Sequence, residues 1–371
     1  MKTIGIAGGG QLGRMLTDAA HKLGFRVVVL DPTPNSPAGQ LADEQIVGDY
    51  KNAKMMRLLS KKSDVLTYEV ESVHVEELSK IADSGKAVHP TPHTLSIIRD
   101  KLSQKEFLRQ HKIPVAEFLE VHDIDSGQVA GKRLGYPYVL KARSGGFDGR
   151  GNFLIRKPSD IRKGIQKVGL HAYAEKFVPF EKELAIVAAR TREGEISAFP
   201  LVETIHRDHI CHMTLVPAAV SSVIAKKAEA TAKSVLGAFK GAGVFGIEMF
   251  LVGKDVLVNE IAPRVHNSGH WTIEGAKTSQ FEQHIRAVSG MKLGKSSLKA
   301  PSVMINILGK RNGPAKPRGI MNAERMQGVR VHMYGKMETR KQRKMGHLTA
   351  VAKNIREAKK TAEKARKLIS I

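Results

Sequence analysis

Hydrophobic residues near the start of the chain fall into short apolar runs separated by a segment with helical spacing. Ile4–Ala7 and Val27–Leu30 are runs that predict buried strands, and Arg14–Leu23 between them has the periodicity of a helix. A glycine-rich turn, Gly8–Gly13, joins the first strand to the helix, and Asp64–Tyr68 predicts a further strand. This order of elements predicts a parallel α/β sheet.

The glycine turn has the spacing G-x-G-x-x-G at Gly8, Gly10 and Gly13, and Asp31 ends the second strand. A dinucleotide-binding fold places there the acid that contacts a ribose, so an NAD(P)-dependent oxidoreductase is one hypothesis. Any tight strand-to-helix turn favours glycine, however. The motif therefore indicates the fold and leaves the cofactor open.

Two acids, Glu69 and Glu71, follow the strand at Asp64–Tyr68. Ligands bind at the carboxyl ends of parallel strands, but acids are also favoured at the N-terminus of a helix, and both interpretations stay open. The pattern then changes to a predicted helix at Thr94–His111, which carries Lys101 and ends before a proline. We place the first domain boundary near residue 93.

A second glycine loop, Ser144–Gly151, lies between strands predicted at Tyr138–Ala142 and Asn152–Arg156. A Walker-type phosphate loop leads into a helix and ends in Gly-Lys-Ser/Thr, so this loop is of another kind. Its backbone N–H groups could fold over phosphates, with Lys141 as a nearby point charge. A plain hairpin with a long loop is the alternative.

Two carboxylates are expected to face each other on a hairpin. Apolar runs flank a turn that we centre on Lys254, so that Glu248 and Glu260 lie opposite each other on one face. Opposed carboxylates repel unless a cation lies between them, and Mg²⁺ completed by phosphate oxygens would satisfy both. Asn259 points to the other face unless the strand has a bulge or ends there. A pair splayed into solvent is the alternative.

The segment after this hairpin concentrates polar chemistry. Residues 259–271 read Asn-Glu-Ile-Ala-Pro-Arg-Val-His-Asn-Ser-Gly-His-Trp, and a solvated loop rarely holds so many functional side chains beside a core strand. Glu175–Val178 and Glu183 could hold the adenine and ribose of a nucleotide, or be exposed charges. Arg340–His347 could grip a phosphate, or be a solvated basic loop. Val351–Ile371 has the pattern of an amphipathic basic helix.

Four residues, His206, His209, Cys211 and His212, raise the question of zinc. If the segment is one strand, alternation sends His206 and His212 to one face and the other two to the opposite face. No second cluster completes a tetrahedral set, so a zinc site is disfavoured.

The composition predicts a soluble protein with a large positive charge. No apolar run reaches the length of a membrane span, there is no signal-peptide pattern, and the single cysteine fits a reducing cytoplasm. The net charge is +24, and the last 81 residues hold 21 Lys and Arg against 4 Asp and Glu. Such a field attracts anionic substrates or nucleic acid. Aromatic residues are only 5% of the chain and no recognition motif accompanies the basic residues, so we favour small anions.

Six motifs together resemble the N5-carboxyaminoimidazole ribonucleotide synthases, a family of the ATP-grasp superfamily. They are Gly-Gln-Leu-Gly-Arg-Met at 10–15, Tyr-Glu-Val-Glu at 68–71, Gly-Gly-Phe-Asp-Gly-Arg-Gly at 145–151, the block at 259–272, Ser-Gln-Phe-Glu at 279–282 and Arg-Lys-Met-Gly-His at 343–347. An oxidoreductase would not explain any motif after the first.

The resemblance implies an α/β and α+β protein. Its expected domains are a Rossmann-like pre-ATP-grasp domain at 1–93, an ATP-grasp domain at 94–290, a small β-rich C-terminal domain at 291–350 and a basic terminal helix at 351–371. It further implies an ATP-dependent carbon–nitrogen ligase that uses Mg²⁺ or Mn²⁺ and bicarbonate to carboxylate 5-aminoimidazole ribonucleotide through carboxyphosphate. A cytoplasmic homodimer is expected.

The resemblance also implies a set of site residues. The ATP contacts would be Lys101, Lys141, Gly146, Phe147, Asp148, Gly149, Arg150, Gly151, Asn152, Glu175, Lys176, Phe177, Val178, Glu183, His206, Asn259 and Glu260. The metal ligands would be Glu248 and Glu260. Arg264 and His266 would orient bicarbonate and its phosphorylated product. Glu71, Asp148 and Arg150 would face the aminoimidazole and ribose, and the remaining substrate contacts would be Asn267, Ser268, Arg343 and Lys344. The family loop usually has Tyr where this chain has Phe147.

Overall fold

Residues 1–88 form a five-stranded parallel sheet with helices in the computed structural model, which describes residues 1–146 and 151–371. The elements are β1 Thr3–Ala7, α1 Gln11–Lys22, β2 Arg26–Asp31, β3 Glu44–Val47, α2 Ala53–Lys61, β4 Val65–Tyr68, α3 Val75–Asp83 and β5 Ala87–Val88. The strand order is β3-β2-β1-β4-β5 and every pair is parallel. The strand–turn–helix–strand prediction is confirmed.

The single helix predicted at Thr94–His111 is wrong, because two helices occupy the segment: α4 Pro92–Arg99 and α5 Lys101–Gln110. Asp100 between them has extended backbone angles, and its carboxylate accepts hydrogen bonds from the N–H groups of Leu102 and Ser103. Asp100 is therefore an N-cap that starts a second helix. Arg143 fixes the cap with an ion pair of 2.6 Å to its carboxylate.

The next sheet is antiparallel and has the order β6-β9-β7-β8. Its elements are β6 Phe118–Val121, α6 Ile124–Leu134, β7 Tyr138–Ala142, β8 Asn152–Ile155, α7 Ile161–Val168 and β9 Ala172–Lys176. The two strands predicted beside the second glycine loop are confirmed as β7 and β8, which pair from Tyr138 with Ile155 to Lys141 with Asn152.

A nine-stranded sheet forms the centre of the molecule and continues into the C-terminal region. Its elements begin with β10 Lys182–Arg190, β11 Ile196–Ala198, β12 Val202–Arg207, β13 Ile210–Val216, α8 Ser222–Ala238, β14 Gly243–Val252, β15 Asp255–Ala262, α9 Thr272–Gly275 and α10 Gln280–Ser289. They end with β16 Ser302–Leu308, β17 Gly313–Pro314, α11 Ile320–Glu324, β18 Val329–Met333, β19 Glu338–Thr339, β20 Lys344–Val351 and α12 Ile355–Leu368. The strand order is β15-β14-β10-β12-β13-β16-β20-β18, β11 pairs with β10, and β17 and β19 form a separate pair. A helix was predicted at 351–371, and α12 occupies Ile355–Leu368 of that segment, whereas Val351 ends β20.

The histidines considered for zinc lie on a hairpin instead of one strand. β12 ends at Arg207 and β13 begins at Ile210, so the alternation assumed across the segment is wrong. His209 lies in the turn with a positive φ of 63°, and His206 is paired with Cys211 across the hairpin.

One hydrophobic core joins the first sheet to the central sheet. It includes Ile4 and Leu16 from the N-terminal region together with Val244, Trp271 and Ile285. Packing of α1 against α10 therefore holds the carboxyl ends of the N-terminal strands beside the segment that follows β15. Among the helices that the structure describes, none is long and apolar enough to cross a membrane.

Candidate functional site

The turn of the β14–β15 hairpin differs from the prediction. It consists of two residues, Gly253 and Lys254, so the centre lies between them and not on Lys254. Gly253 has a φ of 57°, which a two-residue hairpin turn requires and glycine adopts without strain. A regular hairpin with this centre would place Asn259, and not Glu260, opposite Glu248.

A bulge at Asn259 restores the opposition of the two acids. The register shifts just beyond Glu248, which pairs with Glu260 and leaves Asn259 as the extra residue. The predicted opposition of Glu248 and Glu260 is thus confirmed. The bulge also brings the Asn259 side chain to the β7 lysine, with 3.4 Å between Lys141 Nζ and Asn259 Oδ1.

The two acids lie among groups that perturb their charges. Lys101 Nζ is 3.0 Å from Glu260 Oε2, and His266 Nε2 is 3.5 Å from Glu248 Oε1. Burial raises the pKa of Glu248 to about 7, and the charge of Glu260 adds to the shift. Burial alone would lower the pKa of Lys101, but the carboxylate of Glu260 outweighs it and the pKa rises.

The acid pair suits a hard divalent cation. Its oxygen ligands are the kind that Mg²⁺ prefers, and the pKa of Glu248 is raised first by burial and then by the charge of Glu260, both of which a bound cation would oppose. In residues 1–146 and 151–371, no group of three or more His, Cys, Asp and Glu side chains is arranged to hold a metal ion. Glu248 and Glu260 would therefore supply two ligands, and phosphate oxygens and water the others.

A buried cluster of alternating charges holds Lys141. Its Nζ contacts Glu175 Oε1, and Glu175 Oε2 is 2.8 Å from Nζ of Lys105. Glu175 and Lys105 are 2% and 1% exposed. Burial opposes the charge of Glu175, but the two lysines prevail and lower its pKa to about 2. The Glu175 carboxylate is thus directed at lysines, which leaves the backbone of 175–178 as the part that could face an adenine.

The sequence placed Lys105, with Arg99 and Lys101, on the helix predicted at Thr94–His111, but Lys105 was not assigned to the site. Its signal was its position three residues from both Leu102 and Leu108, which places a lysine on the buried face of α5. A lysine is almost never fully buried without an ionic partner. Such a lysine therefore indicates a buried carboxylate nearby.

The segment after β15 is held by Gln280 at the start of α10. Gln280 Oε1 accepts the His266 N–H at 2.9 Å, and its Nε2 donates to the His266 carbonyl at 2.7 Å. His266 Nδ1 is 2.8 Å from Ser268 Oγ, and burial lowers the pKa of His266 well below its usual range. Ser268 is 1% exposed, so its hydroxyl orients the His266 ring. The backbone of Gly246 lies against the same ring, where a Cβ would clash.

Replacing Gln280 by Leu keeps the side-chain volume and removes the hydrogen bonds of the amide to the His266 backbone and to His270 Nδ1. The N–H of His266 and the Nδ1 of His270 would lose their partners, whereas the His266 carbonyl keeps the N–H of Gly269 at 3.0 Å, so we expect the free energy of unfolding to fall by ~2–4 kcal/mol. Urea denaturation measures this loss. Gln128→Leu, at an exposed position of α6, is the control, and equal stability of the two variants would contradict the assignment.

Arg264 joins the same segment to the N-terminal sheet. Its Nη2 is 3.1 Å from Oε1 of Glu71, just beyond the carboxyl end of β4. Burial raises the pKa of Glu71, whereas the charge of Arg264 opposes the shift. Two side chains predicted for different substrates thus lie together at the junction of two sheets.

Several other predicted residues that the structure describes have partners of their own, and His206 among them lies near the acid pair. His206 Nδ1 is 2.6 Å from Glu183 Oε2, and the charges of Glu183 and Glu248 outweigh burial and raise the pKa of His206. Asn267 exchanges two hydrogen bonds with the buried amide of Asn306, at 2.7 and 3.1 Å. Lys176 forms an ion pair of 2.6 Å with Glu117. Phe177 and Val178 follow β9, and Phe177 is exposed.

The N-terminal glycine turn is occupied by carboxylates of the protein itself. Glu69 accepts the N–H groups of Gly10 and Gly13, at 2.5 and 3.0 Å, and Asp31 accepts that of Gly9 at 2.8 Å. These are the donors that would hold a dinucleotide pyrophosphate. Glu69 is therefore a cap of α1, whereas Glu71 faces Arg264. The oxidoreductase hypothesis is not supported.

The basic segment Arg343–Lys344 also approaches the site. Burial lowers the pKa values of His266 and His270, and the positive charge of Lys344 adds to both shifts. Burial, and then the charge of Arg343, lower the pKa of Lys336 to about 8. Lys336 was missed by the sequence interpretation, since nothing in its neighbours indicates burial.

Four predicted residues, Phe147, Asp148, Gly149 and Arg150, lie outside the described residues. At the edges of this loop, Gly146 follows β7 by a few residues and Gly151 has a φ of 82°. Asn152 pairs with Lys141 as the first residue of β8. The described ends of the loop thus lie next to the lysine that was predicted to meet phosphate.

Three family models match successive parts of the chain. The ribonucleotide synthetase preATP-grasp domain matches residues 1–99, the ATP-grasp domain 106–281, and the phosphoribosylaminoimidazole carboxylase C-terminal domain 302–361. A phosphoribosylaminoimidazole carboxylase of Candida albicans is 42% identical and covers 96% of this chain. The chain spans 65% of the length of that relative. An N5-carboxyaminoimidazole ribonucleotide synthase of Brucella melitensis is 40% identical over 94% of this chain and 96% of its own length.

Solved structures share the whole fold. N5-carboxyaminoimidazole ribonucleotide synthetase from Thermotoga maritima has a TM-score of 0.91 and 46% identity, and the match covers 100% of this chain and 99% of that one. The Aspergillus clavatus N5-carboxyaminoimidazole synthase, in complex with ADP and 5-aminoimidazole ribonucleotide, has a TM-score of 0.92 and 36% identity, covering 99% and 98%.

Proposed function

The chain belongs to the N5-carboxyaminoimidazole ribonucleotide synthase family, and from this premise we propose that it catalyses ATP-dependent carboxylation of 5-aminoimidazole ribonucleotide. The reaction converts ATP, bicarbonate and the aminoimidazole into ADP, phosphate and the N5-carboxylated ribonucleotide, a step of purine biosynthesis. The observation that carries the proposal is the opposition of Glu248 and Glu260 beside Lys101, Lys141 and Arg264.

In this proposal the nucleotide lies between the antiparallel sheet of β6–β9 and the central sheet. Lys141 and Lys101 bind the phosphates, since each presents an ammonium group next to the hairpin that carries the acids. The adenine is held along the backbone of 175–178, and the ribose by Glu183, which His206 orients. Asn152, Gly151 and Gly146 belong to the loop that folds over the phosphates.

Glu248 and Glu260 hold Mg²⁺ or Mn²⁺, with Asn259 beside them. A cation held by these two acids would supply positive charge against the charge that develops on the transferred group. Lys141, whose Nζ contacts the side chain of Asn259, supplies further positive charge to the phosphates. Both acids thus bind a cation and do not act as proton carriers.

Bicarbonate attacks the γ-phosphate, and ADP leaves, which gives carboxyphosphate. Arg264 and His266 orient the bicarbonate and then the carboxyphosphate, because a guanidinium matches the geometry of both anions. Carboxyphosphate releases phosphate and CO₂, and the 5-amino group attacks the CO₂ carbon and loses a proton. A site closed to water keeps the short-lived CO₂ from diffusing away.

The aminoimidazole ribonucleotide lies on the N-terminal side of this centre. Glu71 fixes Arg264 and faces the aminoimidazole, and Arg343 with Lys344 binds its phosphate, with Lys336 nearby. Asn267 and Ser268 shape the wall of the site through Asn306 and His266. Asp148 and Arg150 are proposed contacts on the strength of the motif alone.

We expect ADP release from ATP, Mg²⁺ and bicarbonate to require 5-aminoimidazole ribonucleotide. A coupled assay of ADP release, with and without the ribonucleotide, tests this, and NADH binding serves as the control for the alternative cofactor. ATP turnover that is indifferent to the ribonucleotide would refute the substrate. Absence of turnover with all three substrates would refute the activity.

We also propose that the protein acts as a cytoplasmic homodimer. The single cysteine supports a reducing cytoplasm, and the homodimer is what the resemblance to the family implies. Light scattering of the purified chain tests the oligomeric state, and a monomeric mass at micromolar concentration would contradict it.

A further inference from the structure

The buried ion cluster behind the nucleotide site has an unequal number of charges. Lys105, Glu175 and Lys141 carry two positive charges and one negative, with side chains that are 2%, 3% and 12% exposed. Burying an unmatched charge is unfavourable, so such an arrangement persists where another group balances it. Of the two lysines in this cluster, only Lys141 can present its charge towards the acid pair, because Lys105 is fully buried.

Lys105 has no access to substrate. Besides Glu175 Oε2 at 2.8 Å, its Nζ contacts the carbonyl oxygen of Val258 in β15 at 3.1 Å. Its helix α5 begins at Lys101, which contacts Glu260. Lys105 thus connects α5, β9 and the strand that carries an acid of the metal pair.

Each carboxylate oxygen of Glu175 has its own lysine partner, and the two contacts together orient the carboxylate. Oε2 faces Lys105 and Oε1 faces Lys141. Without Lys105, both oxygens become available to Lys141, which would be held more tightly by Glu175 and neutralised by it. With Lys105 in place, half of the carboxylate is already engaged, and Lys141 keeps net positive charge for a polyphosphate.

We propose that Lys105 is a positioning residue that sets nucleotide affinity by acting through Glu175 on Lys141. This inference rests on the proposed nucleotide site and goes beyond it, since Lys105 touches neither substrate nor metal. The predicted consequence is a loss of nucleotide binding in a variant whose substrate contacts are all intact.

A double-mutant cycle measures this role directly. We expect Lys105→Met to raise the Kd for ADP in the presence of Mg²⁺ by about 10-fold to 100-fold, the range found for groups that orient a binding residue. In the Glu175→Gln background the same Lys105→Met change should alter the Kd by less than about 2-fold, because the connecting carboxylate is already absent. Isothermal titration calorimetry gives each Kd.

The matched control is Arg57→Met, which also removes a cation 2.8 Å from a buried carboxylate, that of Glu77 in the N-terminal sheet region. It should reduce stability without changing the Kd for ADP. If Lys105→Met alone does not fold, Lys105→Gln takes its place in the cycle, because an amide can still donate to the Val258 carbonyl but carries no charge to hold Glu175 Oε2.

Two results would overturn the inference: ADP binding unchanged in folded Lys105→Met, or an equal loss of affinity in both backgrounds. Failure of the proposed function has a different signature. A wild-type chain that binds ADP but releases none from ATP and bicarbonate with the ribonucleotide would refute the carboxylation, while the binding cycle would still decide the role of Lys105.

Discussion

Glu248→Gln is expected to abolish carboxylation while the fold stays intact. The substitution keeps the shape of the side chain and removes one of the two charges that would hold the cation. We expect the rate of ribonucleotide-dependent ADP release to fall by ~10³-fold or more, as for loss of a group that stabilises transition-state charge. Steady-state assays at saturating ATP and Mg²⁺ measure the loss.

The stability of this variant should move in the opposite direction from its activity. Glu248 lies opposite Glu260, and its pKa is raised to about 7 by burial and by that neighbour, so removal of its charge relieves repulsion. Without Mg²⁺ and ATP, the thermal midpoint should equal or exceed that of the wild type. Addition of both should stabilise the wild type and leave the variant unchanged.

The control for this pair is Glu203→Gln, which removes a carboxylate of β12 that pairs with Lys182 at 2.7 Å on the same sheet. It should retain carboxylation. Carboxylation retained by Glu248→Gln itself would refute the metal assignment.

Acid should unfold the protein through histidines that are buried in neutral form. His284 and His270 are 0% and 1% exposed, and burial lowers the pKa of each to about 3. Each uses Nδ1 as an acceptor: His284 from the N–H of Val244 at 3.1 Å, and His270 from the amide of Gln280 at 3.1 Å. Protonation of either ring would remove its acceptor.

The direction of the pH dependence of stability follows from the number of protons that the folded and unfolded chains bind. The unfolded chain protonates a histidine near pH 6.5, whereas the folded chain does so only near pH 3, so the stabilisation is complete above pH 6.5 and is lost as pH falls towards 3. Each group lowers the free energy of unfolding by ~1.4 kcal/mol per pH unit in that range, or ~4 kcal/mol for both at pH 5. Glu69, Glu71 and Glu248, whose pKa values burial raises, act in the opposite sense, whereas His266 and His347, whose pKa values burial lowers, add to the loss.

Urea denaturation between pH 7.5 and 5 measures this dependence. His284→Asn offers an amide that can both accept and donate. We expect it to lower the slope of the free energy of unfolding against pH by the amount that corresponds to about one bound proton. His93→Gln, at an exposed position, should leave the dependence unchanged. A free energy of unfolding that is flat from pH 7.5 to 5 would contradict the prediction.

Local pattern was enough to predict the elements that carry the site. Continuous apolar runs and glycine turns located β1, α1 and β2, and paired strands around a glycine loop located β7 and β8. The prediction failed at residue 100, where helical spacing continues unbroken. The cap that divides the helix depends on Arg143, which is 43 residues away in the sequence. No local pattern contains that contact.

The hairpin that carries the acid pair also combines a feature that the sequence predicts with one that tertiary packing decides. Residue types and spacing predicted that Glu248 and Glu260 oppose each other, and they do. The turn is centred between Gly253 and Lys254 and not on Lys254 as predicted, and a bulge at Asn259 compensates for the difference. Bulges depend on the packing of neighbouring strands, and the sequence of one strand does not specify them.

The sequence by itself determined the class of protein, because motifs with fixed chemistry lie in order along the chain and each is read within a few residues. Only the tertiary structure decided which side chains act together. Glu69 caps α1 while Glu71, two residues later, pairs with Arg264, and Lys105 supports Lys141 through Glu175. These assignments depend on contacts between distant segments, and buried charges select their partners by proximity in the folded chain.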